Sequence, residues 1–191
     1  MTTMAVTGPT NLVRWHYLWF AGAAIAIMIA AISLNNLWFL NFVHVFSGLL
    51  WTGIDLFMGF VLGPILRSLD VAVRREVLLR LVPRTLFLMP TLAIVTGTSG
   101  WYLSQELGFN ALPWPQYGWF VAAMVLLILL TIQGTGYLLP TNLRVCFELQ
   151  KPNPDGPKIN AMMKRFFFVV AMQGTMQVLM IVIMARFVTG L

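Results

Sequence analysis

Two ionisable side chains, His44 and Asp55, stand in a stretch that otherwise carries no charge: no Asp, Glu, Lys or Arg lies between Arg14 and Asp55. An unpartnered charge among hydrocarbon tails is costly enough to make each a functional candidate. Along an α-helix, the eleven residues from His44 to Asp55 advance about 16 Å and return to within about 20° of the starting direction. His44, Gly48, Trp51 and Asp55 therefore share one helical face, which must look into a bundle. An imidazole there can ligate haem iron, with the nearby glycine leaving room for a flat macrocycle. It can equally tie two helices together through a hydrogen bond. Asp55 suits a hydrogen-bond donor or proton relay, or an ion pair with an arginine.

Other polar residues extend the pattern. Gln133 with Tyr137, and Gln173 with Gln177, are each one turn apart and can line a shared polar seam, since buried amides in lipid need partners. Arg186 lies at a depth that suits a haem propionate above His44, or it snorkels to the interface. His16 lies near the opposite end of its own helix, about 20 Å from His44 in depth, which excludes a simple pair of histidine ligands within one chain. Met172, Met176, Met180 and Met184 form a stripe at four-residue spacing that reads as packing in preference to a copper(I) path. The single cysteine, Cys146, cannot form an internal disulfide, and no Cys/His spacing suits zinc.

These residues require a membrane around them. Of the 191 residues, 59% are hydrophobic and 9% charged, against about 45–50% and about 25% in soluble domains. Disorder is excluded on the same ground, and only helices or a closed barrel span lipid. We expect an all-α bundle of five transmembrane helices at about residues 12–34, 37–66, 85–104, 118–139 and 166–188, in a single domain without repeats. Asn35-Asn36 marks the first turn, Pro113-Trp114-Pro115 a loop, and Lys151 to Pro157 another. The first apolar run is longer than the 7–15 residues of a signal-peptide core, so it reads as a retained helix.

Arg67, Arg74, Arg75, Arg80 and Arg84 fall in one connection, and Arg144, Lys151, Lys158, Lys164 and Arg165 in another on the same side. By the positive-inside rule that side is cytoplasmic, with the N-terminus inside and the C-terminus outside a plasma (inner) membrane. The excess of twelve basic over six acidic residues thus faces anionic lipid, and no nucleic-acid partner is expected. Trp15, Trp19, Trp38, Trp101, Trp114 and Trp119 fall near expected helix ends, as an aromatic belt requires.

With these residues in place, the chain resembles the small membrane-protein group that includes the HemJ-type protoporphyrinogen oxidases and the copper-resistance D-type domains. The likeness runs through Leu37-Trp38-Phe39-Leu40-Asn41-Phe42-Val43-His44-Val45, then Leu50-Trp51-Thr52-Gly53 and Gly63-Pro64. It continues at Pro90 with Thr96 to Gly100, at Gly118-Trp119 and at Arg165-Phe166. The resemblance implies a four-helix core with the first helix as an addition, and haem b on His44. The lysine that HemJ-type enzymes place after the Gly-Trp pair has no counterpart in Trp119-Phe120-Val121-Ala122-Ala123, so a relative turned to another task is expected. The leading expectation is a membrane oxidoreductase holding b-type haem for electron transfer or porphyrin-linked redox work, with His44, Gly48, Trp51 and Arg186 at the cofactor. A quinone, a partner membrane subunit or a second copy would be its partner. The rivals are a non-catalytic subunit of a larger membrane complex and a small proton-linked transporter using Asp55 and the amides.

Overall fold

The computed structural model describes residues 15–189, and among these there is no strand. Five helices are long and apolar enough to cross a membrane: α1 (Trp15–Ser33), α2 (Leu37–Ser68), α3 (Val71–Glu106), α4 (Tyr117–Leu149) and α5 (Gly156–Thr189). The expected start of the first helix at 12, and Arg14 with it, lie outside the described residues. Asn35 forms the turn after α1 with φ +49°, a left-handed conformation that asparagine tolerates. The Asn36 side chain then accepts a hydrogen bond from the Phe39 N–H at 3.0 Å and caps α2. Gly108, with φ +69°, ends α3 in the way that favours glycine.

The main departure from expectation concerns helix length. The helix expected over 85–104 begins at Val71, that over 118–139 runs on to Leu149, and that over 166–188 begins at Gly156. Charge marks water and does not end a helix, because Arg, Lys and Glu are good helix formers. Connections are short: only Leu69-Asp70 joins α2 to α3, and Gln150–Asp155 joins α4 to α5. Asp155 caps α5 by accepting from the Lys158 N–H at 2.9 Å. At 1.5 Å per residue, α2 to α5 are about 48–54 Å long, well beyond the roughly 30 Å of hydrocarbon.

The basic end of the bundle holds the largest apolar cluster, in which Leu66, Leu78, Val82, Val145, Cys146, Ile159 and Phe167 are buried together. Arg74 staples it, donating to the Asn160 Oδ1 of α5 at 3.0 Å and to the Leu69 and Arg67 carbonyls at 2.8 and 3.1 Å. The arginine closes the end of α2, where exposed carbonyls favour a cation. Lys151 and Lys158 both reach Glu148, at 2.9 and 3.0 Å, across the turn between α4 and α5.

Helices α2 to α5 form the core, and α1 packs on the outside of α2 and α3 through Met28 and Ala31. Helices α2 and α3 pair mainly through Leu37–Leu56 of α2, and α5 lies against both α2 and α4. The α2–α5 seam is the tightest. A methyl group added at Gly59 would stand 2.5 Å from the Ala171 Cα, and one at Gly63 would stand 2.9 Å from the Phe167 Cβ. Small residues four apart let two helix backbones meet.

Helices α3 and α4, by contrast, pack chiefly where α4 has passed its midpoint. Two widened, π-helical turns, Phe57–Leu62 in α2 and Gly134–Leu138 in α4, each run into a proline, Pro64 and Pro140. A proline has no N–H to give and its ring crowds the preceding turn, so both turns open just before it. The helix α3 nevertheless passes Pro83 and Pro90 unbroken.

Candidate functional site

The face expected on α2 does look into the bundle. Asp55 and Trp51 are buried, His44 and Gly48 half-buried. Two cavities flank Trp51. One, of about 260 Å³, is lined by His44, Gly48, Thr96, Gly100, Gln177 and Met180 among others. The other, of about 420 Å³, is lined by Asp55, Thr85, Asn142, Gln173 and apolar side chains of α3 and α4. Trp51 and Leu130 border both cavities, and with Leu92 they form the buried apolar layer between them.

The His44 ring is held from one side. Its Nδ1 lies 3.0 Å from the Thr96 carbonyl oxygen, and since a carbonyl only accepts, Nδ1 carries the proton and Nε2 the lone pair. Nε2 bonds to no protein group among the described residues, and the ring borders the smaller cavity. Thr96 is itself fixed, its hydroxyl donating to Ser47 Oγ at 2.9 Å while Ser47 donates to the Val43 carbonyl at 2.7 Å. Gly100 gives the ring its bed: a Cβ there would stand 2.6 Å from His44 Cε1. At Gly48 a Cβ would meet Thr96 Cγ2 at 3.3 Å. Val45, Leu49 and Trp101 line the same cavity and are exposed, so it opens sideways.

Asp55 is bound by both amides of the expected α5 pair. Gln173 and Gln177 donate through Nε2 to its Oδ2 at 2.9 and 3.0 Å. The seam on α4 does not form. Gln133 instead donates to the Val169 carbonyl at 2.8 Å, and Tyr137 is turned outward, 37% exposed. Arg186 is not brought to the cavity either. Its guanidinium stacks 4.3 Å above the Trp119 ring, a favourable use of a cation at an interface. His16, exposed in the first turn of α1, is beside Trp15, which packs on Phe87 near the basic half of α3. The two histidines are thus apart, as expected. Of the methionine stripe, Met180 and Met184 line the smaller cavity, while Met172 points outward at 45% exposure.

Thr96, Gly100, Asn142 and Thr85 also belong to these sites, and of these Thr85 had no signal in the sequence. Asn142 donates to Thr85 Oγ1 at 3.2 Å in a buried bond between α4 and α3. The run of small residues from Gly97 to Gly100 signalled a close contact but not its partner. Among the described residues, no three His, Cys, Asp or Glu side chains stand together as a metal-ion site. Comparison with protein-family models, with curated proteins and with solved structures gives no match, so the functional reading rests on this geometry.

Proposed function

We propose that this chain is a multi-pass protein of the cell's inner (plasma) membrane whose smaller cavity holds a porphyrin, most simply haem b, on His44. The observation that carries the reading is the imidazole with Nδ1–H bound to a backbone carbonyl and Nε2 left to a cavity. That arrangement is how proteins fix the tautomer and raise the basicity of a metal-ligating histidine. A histidine serving only to tie helices would need no space beside it.

The residues present fit the group in their donor. His44 would supply the axial nitrogen, Thr96 would orient it, Gly100 makes room for the imidazole ring itself, and Gly48 borders the same cavity. Met180 and Met184 border the same space with soft thioether sulfur. A cavity of about 260 Å³ lies just under the usual range of roughly 300–1,000 Å³, and its open side allows part of a macrocycle to face lipid. A bound haem supplies one-electron redox chemistry, and a quinone, partner subunit or second copy would exchange the electrons. The resemblance to the HemJ and copper-resistance D group supports haem b, and the absent lysine argues for electron transfer over protoporphyrinogen oxidation. With Arg186 on Trp119, no arginine of α5's outer end is assigned to a propionate. The basic end of the bundle is placed in the cytoplasm by the positive-inside rule.

The test is an absorption spectrum of the purified protein, oxidised and reduced, with haemin supplied during expression. A Soret band that is lost in His44→Ala, while the helical circular dichroism persists, is the expected result. Absence of the band in the native chain, or its survival in His44→Ala, overturns the assignment.

A further inference from the structure

The larger cavity has a composition that haem at His44 does not explain. Its wall holds buried acceptors that no protein donor reaches. The Asp55 carboxylate fixes the orientation of both glutamines, because their NH2 groups must face it, and their carbonyl oxygens therefore point away. Gln173 is 2% exposed, yet its Oε1 is buried with no hydrogen-bond partner among the described residues. That oxygen faces Gly134, where an added Cβ would stand 4.0 Å away, and Gly134 also lines the cavity. Asn142, 5% exposed, gives its amide to Thr85 and leaves Oδ1 equally unpartnered.

Of the four threonine hydroxyls at the wall, all but that of Thr98 are spent within the protein. Thr85, Thr131 and Thr135 each donate to a carbonyl of their own helix. Pro90, lining the same space, has no N–H for the Leu86 carbonyl one turn back. No ion pair among the described residues involves Asp55, so its charge, if present, has amide donors but no opposite charge. Buried charges are normally paired and buried acceptors normally filled.

We infer that the cavity between α3 and α4 binds a lipophilic ammonium ion, its N–H groups on Asp55, Gln173 and Asn142 and its apolar body against Met89, Ala93 and Leu127. A quinone or a carboxylate, which bring acceptors and no donor, would leave the Gln173 and Asn142 oxygens unfilled, and a carboxylate would also be set against Asp55. A neutral alcohol would bring one donor and no charge. The cavity volume of about 420 Å³ lies within the usual range for small organic ligands. Exposed Ile94, Thr131 and Thr135 on its rim give a lateral entrance from the bilayer. The inference is independent of what His44 holds.

The experiment uses the full chain in lipid nanodiscs, titrated calorimetrically with 1-naphthylmethylammonium, with empty nanodiscs subtracted. The neutral isostere 1-naphthylmethanol and the anion 1-naphthoate are titrated in parallel. Saturable one-to-one binding of the ammonium, at least tenfold tighter than either isostere and weakened at least tenfold by Asp55→Asn, is expected. Gly134→Leu, which fills the space before Gln173 without touching Asp55, should also abolish it and keeps the test decisive if Asp55→Asn fails to fold. Equal binding of alcohol and ammonium, unchanged affinity in Gly134→Leu, or no saturable binding overturns the inference. The Soret band is unaffected in either outcome.

Discussion

Replacing Gly59 by alanine tests whether backbone contact between α2 and α5 sets the position of Asp55. The new methyl carbon would stand 2.5 Å from the Ala171 Cα and 2.7 Å from its N and Cβ. Carbon atoms rest about 3.5–4.0 Å apart, so the helices must part by about 1 Å. No rotamer change relieves this, since two of the three atoms are backbone. Nor can the movement stay local. Gly63 against Phe167 and Gly174 against Leu56, at 2.9 and 3.0 Å for a hypothetical Cβ, belong to the same seam. Asp55 is one turn before Gly59, and its bonds to Gln173 and Gln177, at 2.9 and 3.0 Å, would stretch past useful length.

The control is on the same helix. Around Gly53 an added Cβ meets nothing within 4 Å, so Gly53→Ala gains the usual helix preference of alanine, about 0.5–1 kcal/mol. Overpacking at Gly59 costs about 1–3 kcal/mol, and interhelical hydrogen bonds in membranes add about 0.6 kcal/mol each when lost. The two variants should therefore differ by about 2–4 kcal/mol, with Gly59→Ala below the native chain and Gly53→Ala at or above it. Reversible unfolding in mixed micelles, titrated with a denaturing detergent and followed by tryptophan fluorescence, measures the difference. If Gly59→Ala matches Gly53→Ala, the two backbones are not in contact and the seam does not set the site.

Arg186→Gln removes a cation stacked on Trp119 and nothing at either cavity. If haem sits on His44 as proposed, the spectrum and midpoint potential should match those of the native protein, whereas a propionate partner would shift the potential. Glu148→Gln removes the carboxylate shared by Lys151 and Lys158. The connection Gln150–Asp155 should then be cleaved faster by added protease, most clearly at low salt and little at high salt, where the native pairs are themselves screened.

The shared face of His44, Gly48, Trp51 and Asp55 was legible because α-helical periodicity persists from Leu37 to Leu56. The same rule failed on α4 for a definable reason. Gln133 and Tyr137 are four apart, but the turn that begins at Gly134 is π-helical and holds an extra residue. Everything after it is rotated, so Gln133 faces α5 and Tyr137 faces outward. Pro140 was the visible cause, and its effect on register was not. Helix ends were misplaced because hydropathy reports where lipid stops, while the chain continues as helix through Arg74, Arg144 and Lys164. The partners of His44 and Asp55 could not be read, since Thr96 is 52 residues away in sequence from the first and Gln173 is 118 from the second. Composition does not fix a register over such distances.

The two cavities have a common origin in that register. The close seam between α2 and α5 draws those helices together, and the paired length of α2 and α3 fixes α3 on the other side. Helix α4 follows α5 through Gln133 and meets α3 mainly after its π turn, at Thr85 and Asn142. A gap between α3 and α4 is therefore unavoidable over their remaining length, and Trp51 with Leu130 divides it. The chemistry on the two sides differs chiefly in what His44 and Asp55 bring. One offers a nitrogen lone pair suited to a metal, the other an array of oxygen acceptors suited to N–H donors. Closing the gap would need a bulkier residue than Gly97, which borders both cavities. Gly97→Phe should thus shrink both spaces while leaving the α2–α5 seam, and the Asp55 amide bonds across it, in place.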